Sequence, residues 1–303
     1  MEKVVIRNKQ YNYITDYKND GKLRNCLHTL TQKVWGFDFE KWYISGYWQD
    51  SCLLYSLLDG NKMVSHITVS VIDFIVLGKK KRFIQLGTVS TDQEYRKLGL
   101  NKFLMEKVLD EWKDKSDMIY LFANNSVLDY YTLFGFNTAN EYVATRKIDF
   151  VRNKYIIRKL DVNNQSDHRL LYTKAKNAIP LFNISMVDNA GLVMFYCNYF
   201  DKFSFKENLY YVEVLDTIVI AEYKDNDLIL YDILSTQNVE IEEVIHAMHT
   251  EKTQNVVMYF MPIDNKKYNI ELSKEENSTL FVLSSESKIF ENQRLIFPIL
   301  SHT

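Results

Sequence analysis

Residues 87–107 read GTVSTDQEYRKLGLNKFLMEK, and the way this stretch folds decides the reading of the rest. Ile84 to Ser90 is apolar and β-branched enough for a buried strand. Asp92 to Lys97 is polar or charged apart from the Tyr95 ring. From Leu100 the spacing turns helical, with Leu100, Leu104, Val108 and Trp112 four apart on one face. Gly99 sits at the joint. A helix that opens on a glycine loop leaves its first N–H groups unpaired, and its dipole adds about half a positive charge there. With Arg96 and Lys97 adjoining, the joint is a natural anion site. Neither the G-x-x-x-x-G-K-[ST] phosphate loop nor the G-x-G-x-x-G fingerprint is present.

Arg96-Lys97-Leu98-Gly99-Leu100-Asn101 resembles the R/Q-x-x-G-x-G/A loop of the GNAT superfamily of acyl-CoA N-acyltransferases, with Asn101 at the third loop position. The lead-in Val89-Ser90-Thr91-Asp92-Gln93-Glu94-Tyr95-Arg96 is similar to the family's V-x-x-x-P-x-Y-R, with Gln93 in place of proline. Further on, Asn124-Asn125-Ser126-Val127-Leu128-Asp129-Tyr130-Tyr131-Thr132-Leu133-Phe134-Gly135-Phe136 resembles N-x-x-A-x-x-x-Y-x-x-x-G-F, with Val127 replacing a small residue. The resemblance covers residues 1–150 and implies an α+β fold, a central mixed sheet flanked by helices. It implies acetyl-CoA as the acyl donor. The backbone around Leu98, Gly99, Leu100, Asn101 and Lys102, with Arg96 and Lys97 beside it, would hold the pyrophosphate. The backbone near Val89 would pair with the pantetheine arm and polarise the thioester carbonyl. Asn124 matches a position that hydrogen-bonds the cofactor or its water, and Tyr131 matches the general acid that protonates the departing thiolate. The strand glutamate that serves some members as base falls at Gln85, which cannot act as one; Glu94, Asp38 or a water chain is left for that role.

Length and composition agree with two domains, 1–150 and 151–303. The net charge of −2 and the lack of a basic stripe interleaved with aromatics argue against a nucleic-acid partner. Cys26, Cys52 and Cys197 form no C-x-x-C and no disulfide framework, which fits a reducing cytosol. The start, MEKVVIRNKQ, does not read as a signal peptide, and no apolar run reaches membrane-spanning length, so a cytoplasmic protein without a membrane partner is expected. A homo-oligomer is left open.

In chain order, residues 3–8 read as a strand and Gly21 to Trp35 as a helix carrying Leu23, Cys26, Leu27, Leu30 and Val34. Trp35 to Trp48 then gathers Trp42, Phe37, Phe39, Tyr43 and Tyr47 around Asp38 and Glu40. In the superfamily this segment borders the acceptor, and rings with carboxylates suit a cationic amine; the same rings can equally fill a core. Cys52–Leu58, Val64–Val76 and Lys81–Ser90 read as three strands, with His66 as an exposed or hydrogen-bonded strand residue. A helix to about Lys113, a strand Met118–Phe122, a helix Ser126–Phe134 and closing strands at Phe136 and Tyr142–Ile148 complete the half.

Around Phe150 the pattern restarts. Lys154-Tyr155-Ile156-Ile157-Arg158 echoes Lys3-Val4-Val5-Ile6-Arg7, and strands Leu209–Leu215, Thr217–Tyr223 and Leu228–Leu234 precede a helix (Ile241, Val244, Ile245, Met248) and a strand Asn255–Phe260. This order predicts a second lobe of the same fold. It lacks the chemistry: all nine glycines lie at or before Gly191, and Glu240, Glu242 and Glu243 load the corresponding helix start with negative charge. His246 and His249 have metal-compatible spacing but no evident third ligand, and no metal is expected. The sequence therefore points to an N-acetyltransferase acting on a primary amine by direct attack in a ternary complex. A polyamine, an aminoglycoside, an amino acid and a protein N-terminus all suit as acceptor. Two readings from other classes are an acyl-CoA-binding regulatory protein without turnover and a scaffold built on the second lobe.

Overall fold

The computed structural model describes residues 1–152, 154–200, 204–275, 277–284 and 288–302. The chain opens on a hairpin, β1 (Glu2–Ile6) and β2 (Lys9–Thr15), turning through Arg7 and Asn8 at φ of 48° and 65°. Two consecutive residues in that region give the turn that matches strand twist. The reading of 3–8 as one strand missed β2, whose Tyr11 and Ile14 are buried between polar neighbours. Helix α1 (Gly21–Trp35) starts where Asp20 accepts the Lys22 and Leu23 N–H groups and stops at Gly36, φ 76°. After α2 (Glu40–Ile44), β3 (Cys52–Asp59), β4 (Lys62–Val76) and β5 (Lys79–Thr91) form an antiparallel meander. Helix α3 (Leu100–Trp112) crosses over to β6 (Met118–Ala123), which lies parallel to β5. Helix α4 (Leu128–Thr132), shorter than the expected Ser126–Phe134, and β7 (Asn137–Thr138) follow.

The second half repeats this plan. An edge strand β9 (Ile157–Lys159), helix α5 (Gln165–Asn177) and a meander of β11 (Leu209–Val212), β12 (Thr217–Lys224) and β13 (Asp227–Ser235) lead through α7 (Ile241–Met248) to β14 (Asn255–Met258), parallel to β13. Of the echo at Lys154–Arg158, only Ile157 and Arg158 enter β9.

The two sheets exchange strands. Tyr142–Ile148 was expected to close the first sheet; instead β8 (Tyr142–Lys147) pairs with β14 and β15 (Asn269–Leu272) in the second. Its place beside β6 is taken by β16 (Thr279–Leu283), with Phe281 opposite Leu121. The first sheet runs β1-β2-β3-β4-β5-β6-β16-β7, with β10 (Ile184–Val187) added to the end of β4, and the second β15-β8-β14-β13-β12-β11-β9. A division at residue 150 thus falls between β8 and β9, while the sheets divide on either side of it. The physical reason is edge pairing: β16 (TLFVL) is apolar enough to sit between two strands, and β8 is half-exposed, but neither pattern says which sheet it joins.

Three buried clusters follow. One packs α3 and α4 on the outer face of the first sheet through Val69, Ile84, Leu104, Val108 and Ile119. Another packs α7 on the second sheet through Val219, Leu230, Val244 and Met248. The largest lies between the lobes, where α1, α2 and α5 meet α6 (Ala190–Met194) and the π-helical turn Phe195–Tyr199 that continues it.

Candidate active site

The ladder between β5 and β6 is short: only Phe83, Ile84 and Gln85 pair, with Met118, Ile119 and Tyr120. Beyond that point β5 continues to Thr91 and β6 to Ala123, and the two strands part. On its other side β5 bulges. Ser90 faces His66 and Gly87 faces Thr68, so Thr88 and Val89 together stand against Ile67. Thr88 takes φ 42°, a conformation rare for a β-branched residue.

From the end of β5 the chain is held at several points. Asp92 accepts the Glu94 N–H and both Lys33 (3.0 Å) and Lys62 (3.2 Å). Burial works against its charge, yet these donors hold its carboxyl below the usual range. The Tyr95 hydroxyl donates to Asp59 at 2.7 Å. Lys97 and Gly99 then adopt φ of 64° and 83°, and the Arg7 guanidinium, from the first hairpin turn, donates to Lys97 O at 2.8 Å. The first helical bond of α3 is Phe103 N–H to Gly99 O, so the Leu100, Asn101 and Lys102 N–H groups precede the ladder. Arg96, Lys97 and Lys102 are exposed around them. Asn101 accepts the Tyr130 hydroxyl at 2.8 Å and reaches Ser90 O at 3.5 Å, joining the loop to α4 and to β5. An anion placed here meets free N–H groups, a helix dipole and positive side chains.

Tyr131 is buried on α4 against Phe136 and Phe281, the latter from the exchanged strand β16. Burial pushes its phenol up to about 12, so it is protonated at neutral pH. Asn124 opens the α4 turn by accepting the Ser126 N–H at 3.2 Å.

The carboxylates expected as base or acceptor ligands are engaged elsewhere. Glu94 pairs with Lys62 at 2.6 Å. Asp38 accepts Gln32 at 2.8 Å and the Glu40 N–H at 3.0 Å. Glu40 takes a forked pair from Arg24 at 2.7 and 3.1 Å. Trp42 is core: 3% exposed, stacked on Trp48 at 5.3 Å, with its indole N–H donating to Gly191 O at 2.9 Å. The rings of Trp35–Trp48 are therefore built into the seam between lobes, as the core-filling reading of this stretch expects, while Asp38 and Glu40 beside them are held by Gln32 and Arg24. Gln85 is buried and donates to Leu86 O at 3.2 Å.

Sequence reasoning missed two features. One is Arg7. The other is a chain of side chains along one face of the sheet, buried from Tyr17 to Thr68 and half-buried at Thr88. The Tyr17 hydroxyl meets Ser56 at 2.6 Å, Ser56 meets His66 Nδ1 at 2.8 Å, His66 Nε2 meets Thr68 at 2.8 Å, and Thr68 meets Thr88. His66, Thr68 and Ser70 alternating inside a central strand was the available signal; the bulge that brings Thr88 to them was not readable.

In the second lobe the start of α7 carries Glu240, Glu242 and Glu243, and Glu242 binds Arg146 at 2.7 Å and the Tyr268 hydroxyl at 2.6 Å. His249 accepts the Val151 N–H at Nε2 and turns Nδ1 to His246 O. Among the described residues no group of three His, Cys, Asp or Glu side chains is placed to hold a metal, and no helix is long and apolar enough to cross a membrane.

Comparison with known proteins adds the following. Residues 27–139 match the family model of the acetyltransferase (GNAT) domain. Among curated proteins none matches the sequence. Solved structures similar in fold include a probable N-acyltransferase of Enterococcus faecalis V583, at 12% identity and TM-score 0.58 over 93% of this chain and 74% of that one. A GCN5-related N-acetyltransferase from Kribbella flavida matches at 16% identity and TM-score 0.56, over 90% of this chain and 70% of its own. Eis1 from Mycobacterium abscessus matches at 11% and 0.57, over 89% and 72%. Each match extends over both lobes.

Proposed function

We propose that this chain, whose residues 27–139 match the acetyltransferase (GNAT) domain, transfers an acetyl group from acetyl-CoA to a primary amine. The observation that carries the reading is one conjunction: an anion-ready helix start at Gly99 stands next to the gap where β5 and β6 part beyond Gln85 and Tyr120. The N–H groups of Leu100, Asn101 and Lys102, with Arg96 and Lys97 outside them, suit a pyrophosphate; Leu98 and Gly99 shape the approach. A pantetheine arm fits the gap, where the Val89 backbone would polarise the thioester carbonyl. Asn124 holds the turn from which α4 carries Tyr131. Tyr131, neutral at pH 7 and at the position that the resemblance gives to the general acid, would give its proton to the thiolate as the carbon–sulfur bond breaks. No free carboxylate among those named serves as base, so the amine loses its proton to water.

Residues 1–150 would carry this chemistry, with 151–303 a second lobe that binds no pyrophosphate, its helix start being acidic. The acceptor is a small-molecule or peptide amine. Three free thiols support a reducing compartment.

Calorimetry with acetyl-CoA should give one site per chain, and thioester cleavage should respond to some member of an amine panel. Gly99→Val should abolish binding, because φ 83° excludes a β-branched residue. Binding without any turnover would favour a sensor of acyl-CoA; no binding at all would end the reading.

A further inference from the structure

The side-chain network Tyr17–Ser56–His66–Thr68–Thr88 has a direction, and the direction has a chemical consequence. At its closed end the Tyr17 hydroxyl, fully enclosed, has Ser56 Oγ at 2.6 Å, Met63 Sδ at 3.5 Å and His66 Nδ1 at 3.5 Å. A hydroxyl oxygen accepts far better than a thioether. Tyr17 therefore donates to Ser56, and Ser56 donates to His66 Nδ1. The ring is neutral, since burial pushes it down to about 3. A neutral imidazole that accepts at Nδ1 carries its proton on Nε2. Nε2–H then donates to Thr68, and Thr68 donates to Thr88. In this order the Thr88 proton has no acceptor left within the network. The reverse order would leave the Tyr17 proton on sulfur.

Thr88 stands where that proton matters. It lies three residues past Gln85, the last β5 residue paired with β6, half-buried, in the bulge beside Val89. Its positive φ is unusual for threonine, and the bond to Thr68 is what fixes its side chain. We propose that Thr88 is a catalytic residue whose hydroxyl donates to the acyl carbonyl oxygen, adding to the backbone donor at Val89, and that His66 is a positioning residue that sets the direction of this bond. The inference rests on the acyl-CoA reading above. It also excludes the network as a route for the amine's proton, which would need every bond to point the other way.

The test is the carbonyl stretch of bound acetyl-CoA labelled with carbon-13 at the thioester carbon, read by isotope-edited infrared spectroscopy with affinity measured in parallel by calorimetry. Wild type should shift the band to lower frequency than free acetyl-CoA. Thr88→Val should bind within about threefold and lose much of the shift, with kcat about 10²-fold lower, as for a lost oxyanion donor. Thr88→Ser should keep both. Thr88→Gly suits the positive φ and repeats the measurement should the valine variant fold poorly. Thr68→Val and His66→Leu should weaken the shift, and His66→Gln, whose amide can donate where Nε2–H did, should restore it. A wild-type band in Thr88→Val or Thr88→Gly overturns the inference alone, as does equal loss in Thr88→Ser. Wild-type protein that binds no acetyl-CoA overturns the acyltransferase reading and this inference with it.

Discussion

Two adjacent tyrosines on α4 should separate binding from chemistry. The Tyr130 hydroxyl is 2.8 Å from Asn101 Oδ1 and so braces the loop at the start of α3, whereas Tyr131 points its ring into Phe136 and Phe281. Tyr130→Phe removes one neutral hydrogen bond, which is worth about 0.5–1.5 kcal/mol net. If all of it is felt at the loop, acetyl-CoA binds roughly 2- to 12-fold more weakly. The kcat at saturation should change little, because ground state and transition state use the loop alike. Tyr131→Phe keeps the buried ring and removes only the proton donor. It should lower kcat by about 10²–10⁴-fold with little change in affinity. Calorimetry with acetyl-CoA and steady-state kinetics with the best amine give both numbers for both variants. Wild-type kcat in Tyr131→Phe, or an equal fall in Tyr130→Phe, would refute the assignment of the acid.

Two further outcomes concern the fold. A Cβ on Gly191 would sit 2.3 Å from Tyr47 O, a backbone atom across the lobe seam that no rotamer change can move, so Gly191→Ala should destabilise by about 3 kcal/mol or more in urea unfolding; an unchanged midpoint would mean that the seam is loose. The Glu141 carboxyl accepts the Phe297 N–H but is desolvated enough to be raised from 4.5 to about 8. The folded protein keeps this proton where the unfolded chain has lost it. Wild type should therefore lose stability relative to Glu141→Gln as pH rises from about 4.5 to about 8, by at most about 1.4 kcal/mol per unit, and a pH-independent difference would show that the carboxyl is solvated.

What could be read from the sequence follows a physical line. The meander, α1, α3 and β6 were legible because each carries its own period and its own stops: Asp20 and Gly36 around α1, Gly99 before α3. The glycine-led start of α3 was legible because a positive-φ glycine and the first amides of a helix are local features. Partnership was not legible. That Asp38 is held by Gln32 and Glu40 by Arg24 could not be read from their spacing. Asn101, odd for the loop by its spacing, is explained by Tyr130 and Ser90, which are near only in space. The β2 strand was missed because Tyr11 and Tyr13 sit among polar residues whose burial depends on β3.

The exchange of β8 and β16 has a meaning for the newborn chain. A ribosome adds about 5–20 residues per second, so Leu121 waits on the order of ten seconds or more before its partner Phe281 is even made. Until then β6 is the rim of an unfinished sheet, with Tyr131 lacking the ring of Phe281 against it. An open strand rim recruits whatever extended chain is near, which in a polysome is a neighbouring copy of the same sequence. The first lobe, although synthesised first, is completed last, and it acquires its full core only when the second half of the chain has been translated.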